Sequence, residues 1–213
     1  VLAKSCHDMD ILLWLTGKHC KYISSFGSLS HMIEENFQDN LLKAYLYAVD
    51  SNQTNENLKK AITTGPYGKY VYKCDNNVAD HMVSILEFEN NITATFNLSD
   101  FTNDCSRTTK LMFTHGEVGG NSLKNVIEVH NFGERNHMII HPKIVKSGHG
   151  GGDFKLMDDF IKSVNNREAH IKTSAIDSVE SHVMAFAAEY SRLNHEVVDI
   201  NKFLRNELEK LKK

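Results

Sequence analysis

The chain has 213 residues; 41% are hydrophobic, 24% are charged, and the formal net charge is −3. A composition so near neutrality gives no electrostatic reason to expect nucleic acid or an anionic membrane as the main partner. No apolar run approaches the length that spans a bilayer. This length can bury one sizeable core or at most two small ones. Because the chain has two prolines and no long Ser/Gly linker, we expect a single domain over residues 1–213.

The first predicted element is an apolar helix that ends at Gly17. Ser5 and Asp8 have the spacing of a capping box, which predicts that the helix begins at Ser5. His7 then lies in the first turn, where free backbone N–H groups and the helix dipole disfavour a cationic ring. A neutral imidazole there can accept a proton near neutral pH, and Asp10 could orient it. The alternative is that His7 and Asp10 are ordinary polar residues of a helix start.

The middle of the chain has the alternating pattern of β-strands. One strand is expected at Lys21–Ser28, and two short helices, Leu41–Val49 and Asn55–Thr63, separate it from the others. The remaining strands are expected at Tyr70–Lys73, Met82–Phe88, Ile92–Leu98, Thr109–Thr114, Val126–His130 and Met138–His141.

Short turns between these strands predict antiparallel pairing. Asn90 and Asn91 suit a two-residue hairpin turn because asparagine tolerates positive φ. Met82–Phe88 has apolar residues on both faces, and one face is expected under helices. The other face would be costly to leave in water, so we expect it to meet another domain or a second copy of the chain. Three glycines are assigned to a connection between strands: Gly116, Gly119 and Gly120.

The segment GHGGGDFKLMDDF leads from the strands into the C-terminal helices. Its glycines permit positive φ and close approach of a ligand to the backbone. Asp153 is expected as the helix N-cap, which leaves His149 projecting from the turn. The plain alternative is a connecting loop with a surface histidine.

Helical spacing of apolar residues continues to the end of the chain. One stripe is formed by Met157, Phe160, Ile161 and Val164, a second by Val179, Val183, Phe186, Ala187 and Tyr190. A last, charged helix is expected at Asn201–Lys213. The order helix, strands, helices predicts an α+β fold, with helices packed on one face of an open, mostly antiparallel sheet.

Two further residues are candidates for binding a polar substrate. His81 follows Asp80 at the start of a strand and could point into the same cleft, or could be a solvated strand end. Arg107 could bind a substrate, or could be an ordinary charge at a sheet edge. No metal site is expected, since the histidines lack H-x-x-x-H or H-x-H spacing with an acidic partner. The cysteines are widely spaced, which favours reduced thiols and a cytoplasmic protein: Cys6, Cys20, Cys74 and Cys105.

KSCHDMDILLWLTG resembles the first helix of the C-terminal domain in the glucose–fructose oxidoreductase, inositol dehydrogenase and MocA family. The resemblance continues through TGPYGKYVYKCDNNVADHMVSILEFENNITATFNLS, SRTTKLMFTHGEVGG, GHGGGDFKLMDDF and SVESHVMAFAAEYSR. It covers nearly the whole chain except about 32–53. Such enzymes have an N-terminal Rossmann domain that binds NAD or NADP. This chain has no G-x-G-x-x-G motif and no E-K-P, so the resemblance implies a C-terminal half whose Rossmann partner domain is absent.

By position, His7 falls on the family's active-site histidine. Its usual acidic partner falls on Ala3, and the neighbouring Lys4 is a candidate to replace it. His149 and Asp153 match a loop on the substrate side of the pocket. No residue of this fragment is assigned to the cofactor, and the outer sheet face is the expected surface for homo-oligomerisation.

The resemblance implies an NAD(P)-dependent oxidoreductase of a sugar, polyol or related hydroxy compound. In that reaction, hydride passes from the substrate carbon to the nicotinamide while His7 takes the proton of the hydroxyl group. The fragment alone is expected to be inactive. Some relatives are instead NAD-dependent glycoside hydrolases that oxidise, eliminate and re-reduce their substrate. A third interpretation is a non-catalytic binding or oligomerisation module.

Overall fold

A computed structural model of the chain describes residues 2–37, 72, 75–104, 106–144, 148–166 and 175–210. The helices expected at Leu41–Val49 and Asn55–Thr63 lie outside these residues, as does the strand at Tyr70–Lys73 apart from Tyr72. The chain forms two compact units, Val1–Phe101 with Ala175–Lys213, and Thr102–Ser174. The boundaries of a single domain over 1–213 stay a prediction.

The α+β class predicted from the sequence is confirmed, with the strands divided between two antiparallel sheets rather than one. Their orders are β3-β2-β1-β8 and β4-β5-β6-β7. The elements are α1 (Leu2–Thr16), β1 (Cys20–Ser28), β2 (His81–Phe88), β3 (Thr93–Ser99), β4 (Thr108–Met112), β5 (Gly116–Asn121), β6 (Val126–Asn131), β7 (Met138–Ile140), α2 (Gly152–Asn165), α3 (Ala175–Asn194), β8 (Val198–Asp199) and α4 (Ile200–Lys210).

Helix α1 begins earlier than its capping-box pattern predicts. It starts at Leu2, so Ser5 lies inside the helix and is fully buried, with its Oγ atom unpartnered. The expected N-cap at Ser5 is therefore wrong, because the residue faces the packed side of the helix. The C-terminus agrees with the sequence: Gly17 has φ 59°, and its N–H donates to the carbonyl of Leu13 at 2.8 Å.

The core of the first unit lies between its sheet and helices α1 and α3. Strand β1 contacts α3, whose alanines let the helix approach the sheet closely, and inward side chains of β2 join the same buried cluster. The core residues are Met9, Cys20, Ile23, Met82, Leu86, Phe88, Met184, Ala185, Ala187, Ala188, Val198 and Ile200. The α3 stripe expected from the sequence is partly wrong, because Val179 and Phe186 are about half exposed while the buried face is centred on the alanines.

Buried serines connect the sheet to α3 without leaving polar atoms unsatisfied. The hydroxyls of Ser25 and Ser84 lie 2.7 Å apart across β1 and β2. The backbone N–H of Ser25 donates to Ser191 Oγ at 2.8 Å, and that hydroxyl donates to the carbonyl of Glu196 at 2.6 Å. Each pairing offsets the cost of burying a hydroxyl.

The outer face of this sheet carries exposed apolar side chains, as the pattern of Met82–Phe88 predicted. Phe26, Val83 and Ile85 are 54%, 38% and 55% exposed. The β2–β3 hairpin agrees with the sequence in the positive φ angles of Asn90 and Asn91, 58° and 59°, but its turn contains three residues, Glu89–Asn91, rather than two.

In the second unit, the glycines assigned to a connection form strand β5 instead. Gly116 pairs with Asn131 of β6, and a Cβ on Gly116 would lie 2.3 Å from the carbonyl oxygen of His130. Glycine is therefore required here by close approach of two strands rather than by a turn. The predicted helix after GHGGGD is confirmed as α2, but its apolar stripe is exposed: Met157, Phe160, Ile161 and Val164.

Candidate active site

His7 lies on the exposed side of α1, between the buried residues Cys6 and Met9. Because α1 starts at Leu2, His7 is in the helix body rather than the first turn. The free N–H groups that were expected to keep its ring neutral are therefore not beside it. Within the described part of the chain, no hydrogen bond joins His7 to Asp10, which is also exposed. The side chain of Lys4 lies outside the described residues.

His149 and Asp153 are brought into direct contact. The Nδ1 atom of His149 lies 2.9 Å and 3.1 Å from the two carboxylate oxygens of Asp153. His149 has φ 51° and Gly150 φ 61°, so a non-glycine residue occupies the left-handed region in this turn. Such backbone strain is concentrated at functional sites. The contact points the other ring nitrogen away from the carboxylate.

The role predicted for Asp153 as N-cap of the following helix is wrong. Helix α2 begins at Gly152, and Gly151, with φ 91°, is the N-cap residue. Asp153 is thus in the first turn, where the positive end of the helix dipole favours its carboxylate. Its oxygens are free to accept from His149 because they are not used for capping.

His81 is held by a buried carboxylate. Asp80 is 1% exposed, and its Oδ1 lies 2.8 Å from Nδ1 of His81. Its Oδ2 accepts backbone N–H groups from Ser30 at 2.9 Å, His31 at 2.7 Å and Met32 at 3.1 Å. Burial opposes ionisation, but these donors and His81 lower the pKa of Asp80 well below its usual range.

Aromatic rings lie near His81 and His31, and they belong to residues that the sequence analysis does not single out. The Phe101 ring lies 5.2 Å from the His31 ring and 6.3 Å from the His81 ring, between centroids. The Tyr72 hydroxyl lies 2.9 Å from Nε2 of His31. The pattern DH at a strand start was visible in the sequence, but the approach of residues 30–32 to Asp80 depends on tertiary structure.

Arg107 lies at the entry to β4. Its backbone pairs with Ser122: the Arg107 N–H donates to Ser122 Oγ at 2.8 Å, and the Ser122 N–H donates to the Arg107 carbonyl at 3.0 Å. The side chain is exposed. Its predicted role in substrate binding remains untested.

The cysteines of the described residues are not arranged as nucleophiles. Cys6 and Cys20 are free and buried, and burial raises the pKa of the Cys20 thiol to about 12. Over the same residues there is no group of three histidine, cysteine or acidic side chains able to hold a metal ion. No helix in the described ranges is long and apolar enough to cross a membrane.

The fold is shared with solved oxidoreductases. An oxidoreductase domain protein from Kribbella flavida matches with a TM-score of 0.63 and 12% identity, over 92% of this chain and 48% of its own. An oxidoreductase from Agrobacterium radiobacter, in complex with NAD+, L-tartaric acid and magnesium, gives 0.60 and 14%, over 93% and 48%. An aldose-aldose oxidoreductase from Caulobacter crescentus, complexed with glycerol, gives 0.56 and 10%, over 92% and 45%.

These likenesses confirm the fold that the sequence resemblance implied. The chain spans about half the length of the solved proteins it matches. No protein-family model and no curated protein matches the sequence.

Proposed function

We propose that this chain is the C-terminal domain of a glucose–fructose oxidoreductase, inositol dehydrogenase and MocA-type enzyme, an NAD(P)-dependent oxidoreductase of a sugar, polyol or related hydroxy compound. The observation that carries the proposal is the contact between His149 and Asp153. The sequence resemblance assigns these same two residues to the substrate side of the pocket. The shared fold supports the class, since its solved examples include an NAD+ complex and an aldose oxidoreductase.

The glycine-rich turn before α2 does not fit a dinucleotide. It lacks the G-x-G-x-x-G spacing, and Asp153 places a carboxylate in the first helical turn. That charge would repel a pyrophosphate at the helix N-terminus. We therefore assign the nicotinamide cofactor, which supplies hydride transfer when bound, to an N-terminal Rossmann domain outside this chain.

The chemistry proposed for this chain is proton transfer and hydroxyl binding. His7 is the proposed acceptor of the substrate hydroxyl proton, and Lys4 is proposed to tune it in place of the acid missing at Ala3. The exposed position of His7 leaves its ring accessible. Asp10, His81 and Arg107 are proposed as further substrate-binding residues.

His149 is suited to bind a sugar hydroxyl because its contact with Asp153 fixes the ring. When the carboxylate is ionised it can only accept, so Nδ1 of His149 carries the proton and Nε2 is left for the substrate. The proposed partition is therefore proton transfer at His7 and hydroxyl recognition at His149.

The test is an assay of the full-length protein with NAD+ or NADP+ and a panel of aldoses and cyclitols, followed by absorbance of the reduced cofactor. Cofactor reduction that requires a hydroxylated substrate is the expected result. Absence of reduction with every substrate and both cofactors would reject the proposal. The isolated chain is expected to be inactive in the same assay.

An NAD-dependent glycoside hydrolase is the second candidate, because the glycine–histidine turn with its following aspartate occurs among such relatives. An aryl glycoside separates the two activities. Release of the phenol without net cofactor reduction indicates hydrolysis, whereas reduction without phenol release indicates a dehydrogenase.

The exposed outer face of the first sheet is the proposed homo-oligomer surface. Tyr22 and Ile85 lie on it, 38% and 55% exposed. Reduced Cys6 and Cys20 are in keeping with the cytoplasmic location that we propose. A module that only binds or oligomerises is the remaining alternative, and full-length turnover would exclude it.

A further inference from the structure

The second unit has almost no core of its own. Among its described residues, the only buried ones are two glycines, Gly116 and Gly151. A small sheet needs an apolar face packed against another element to be stable in water. The described residues do contain the side chains for such a core, on two surfaces that are exposed or partly exposed in the single chain.

The first surface is one face of the sheet β4-β5-β6-β7, which we call the apolar sheet face. Strand register places two rows of side chains on it: Leu111, Val118, Val129 and Met138 in one row, and Thr109, Gly120, Ile127 and Ile140 in the other. The opposite face is charged. It carries the ion pair of Lys110 with Glu117, whose Nζ and Oε2 atoms lie 2.8 Å apart, and it carries Glu128 and His130.

Gly120 leaves an open space in the apolar sheet face. It lies two residues after Val118 on β5, so the two residues are on the same side of the strand. Its neighbours across the sheet are Thr109 and Ile127. A Cβ atom on Gly120 would meet nothing within 4 Å. A large apolar side chain from outside the sheet can therefore lie above this residue.

The second surface is the apolar stripe of α2. Its six apolar side chains are 53–70% exposed: Phe154, Leu156, Met157, Phe160, Ile161 and Val164. The α2 residues that are partly shielded from solvent are polar, Asp159 and Ser163. In the single chain the helix thus turns its apolar side outward, which is the reverse of a helix packed on its own sheet.

The two surfaces match in size. From Phe154 to Val164 the stripe is about 15 Å long, and the six-residue strands β5 and β6 are each about 20 Å long. A helix about 10 Å wide covers two strands that lie about 4.8 Å apart. The α2 stripe therefore fits lengthwise over β5 and β6, with a large side chain above Gly120.

The area of contact favours a second copy of the chain as the partner. Six apolar side chains exposed to this degree present on the order of 600 Å². One helix on one sheet then buries about 1,200 Å² in total, the low end for a specific interface. Two copies related by a two-fold axis make this contact twice, which buries about 2,400 Å², an area typical of permanent homodimers.

We infer that α2 of one copy packs on the apolar sheet face of a second copy, and that the exchange is reciprocal. Each second unit then obtains from its partner the core that it lacks. The contact of His149 with Asp153 lies at the start of α2, so the exchange carries this turn to the partner as well. The inference concerns a different surface from the outer face of the first sheet, and it does not depend on the proposed enzymatic activity.

Disulfide crosslinking between two differently tagged copies of the full-length protein tests the exchange. One copy has Ile161→Cys on the α2 stripe, and the other has Gly120→Cys on the apolar sheet face. Oxidation with copper phenanthroline after co-expression should join the two tags in one covalent dimer. Gly119→Cys is the matched control, because this residue lies on the charged face and a Cβ there also meets nothing within 4 Å. The covalent dimer should be lost with Gly119→Cys.

Lysine at the same two positions tests the interface without cysteine chemistry. Gly120→Lys places a charge in the apolar contact and should weaken self-association by about tenfold or more, measured by sedimentation equilibrium. Gly119→Lys adds the same charge to the opposite face and should sediment as the wild type does. Since there is open space for a Cβ at both positions, the two variants differ in the face they alter rather than in strain.

The inference is overturned if Gly120→Cys and Gly119→Cys give equal yields of covalent dimer, or if Gly120→Lys self-associates as tightly as the wild type. A disulfide within single chains of the double variant Ile161→Cys and Gly120→Cys, without covalent dimer, would place α2 on its own sheet and would also overturn it. Ile85→Ala, on the outer face of the first sheet, should leave the crosslink intact. Loss of the crosslink in that variant would assign self-association to the first sheet alone.

Discussion

The imidazole of His19 lies 2.7 Å from the carboxylate of Glu180, joining the residue before β1 to helix α3. The other oxygen of Glu180 accepts the backbone N–H of Cys20 at 3.0 Å. Glu180 raises the pKa of His19 above its ordinary value, through the hydrogen bond first and charge attraction second. This contact therefore makes the stability of the first unit depend on pH.

The raised pKa fixes the direction of that dependence. The contribution of His19 is fully present below its unfolded pKa and is lost as pH rises through the folded pKa. Because His19 is 76% exposed, we expect only about 0.5 kcal/mol. Urea unfolding at about pH 5 and about pH 9 should show this loss in the wild type but not in His19→Gln. An equal pH dependence in the two proteins would contradict the assignment.

Asp80 should produce the opposite dependence at low pH. Its lowered pKa contributes stability that is present above the unfolded pKa and lost as pH falls through the folded one. Asp80→Asn should destabilise the chain by about 3 kcal/mol, since it removes a buried charge from four donors. The measurement is the urea midpoint at neutral pH and at about pH 3, where the difference between variant and wild type should shrink. Glu35→Gln, at an exposed acid three residues after Met32, is the control.

Gly116 should tolerate no side chain, in contrast to Gly119 on the same strand. A Cβ on Gly116 would meet a backbone carbonyl at 2.3 Å, whereas nothing lies within 4 Å of one on Gly119. We expect Gly116→Ala to destabilise the second unit by about 2 kcal/mol or more. Gly119→Ala should change stability by less than about 0.5 kcal/mol. Thermal unfolding of the two variants tests this, and similar melting temperatures would show that the strands are not in close contact.

Truncation to alanine at two neighbouring positions of β2 should lower the free energy of unfolding by very different amounts. Leu86 is 1% exposed in the core, whereas Ile85 is 55% exposed on the outer face. Leu86→Ala should cost about 2–5 kcal/mol in the free energy of unfolding. Ile85→Ala should cost much less in the monomer and should instead weaken self-association if the outer face is the oligomer surface. Denaturant unfolding and sedimentation equilibrium measure the two effects separately.

Under the proposed function, His7 and His149 should affect different kinetic constants of the full-length protein. His7→Ala removes the proposed proton acceptor and should lower kcat by about 10²–10⁴-fold, with cofactor affinity nearly unchanged. His149→Ala removes a hydroxyl contact and should mainly raise KM. Steady-state kinetics and titration with NAD+ distinguish them, and full turnover by His7→Ala would reject its role.

Local sequence signals were sufficient to predict the structure of segments whose conformation depends on nearby residues alone. The hairpin at Asn90 and Asn91 follows from residues that tolerate positive φ, and the alternating pattern on either side sets which residues of β2 and β3 face the core. The end of α1 at Gly17 and the helical period of α2 were predictable for the same reason. Each depends on interactions between residues a few positions apart.

Tertiary contacts decided the features that the sequence left open or predicted wrongly. Ser5 does not cap α1, despite its capping-box spacing, because that face of the helix is buried. Gly116 has the sequence pattern of a loop residue, but it lies in a strand where the carbonyl of His130 leaves no space for a Cβ atom. The Asp80 carboxylate accepts hydrogen bonds from backbone N–H groups that are distant from it in the sequence, such as that of His31. The sequence by itself determined the fold class and most candidate residues. Only the folded chain determined how His81 and His149 are oriented, because burial and long-range hydrogen bonds fix a side chain that local propensity leaves free.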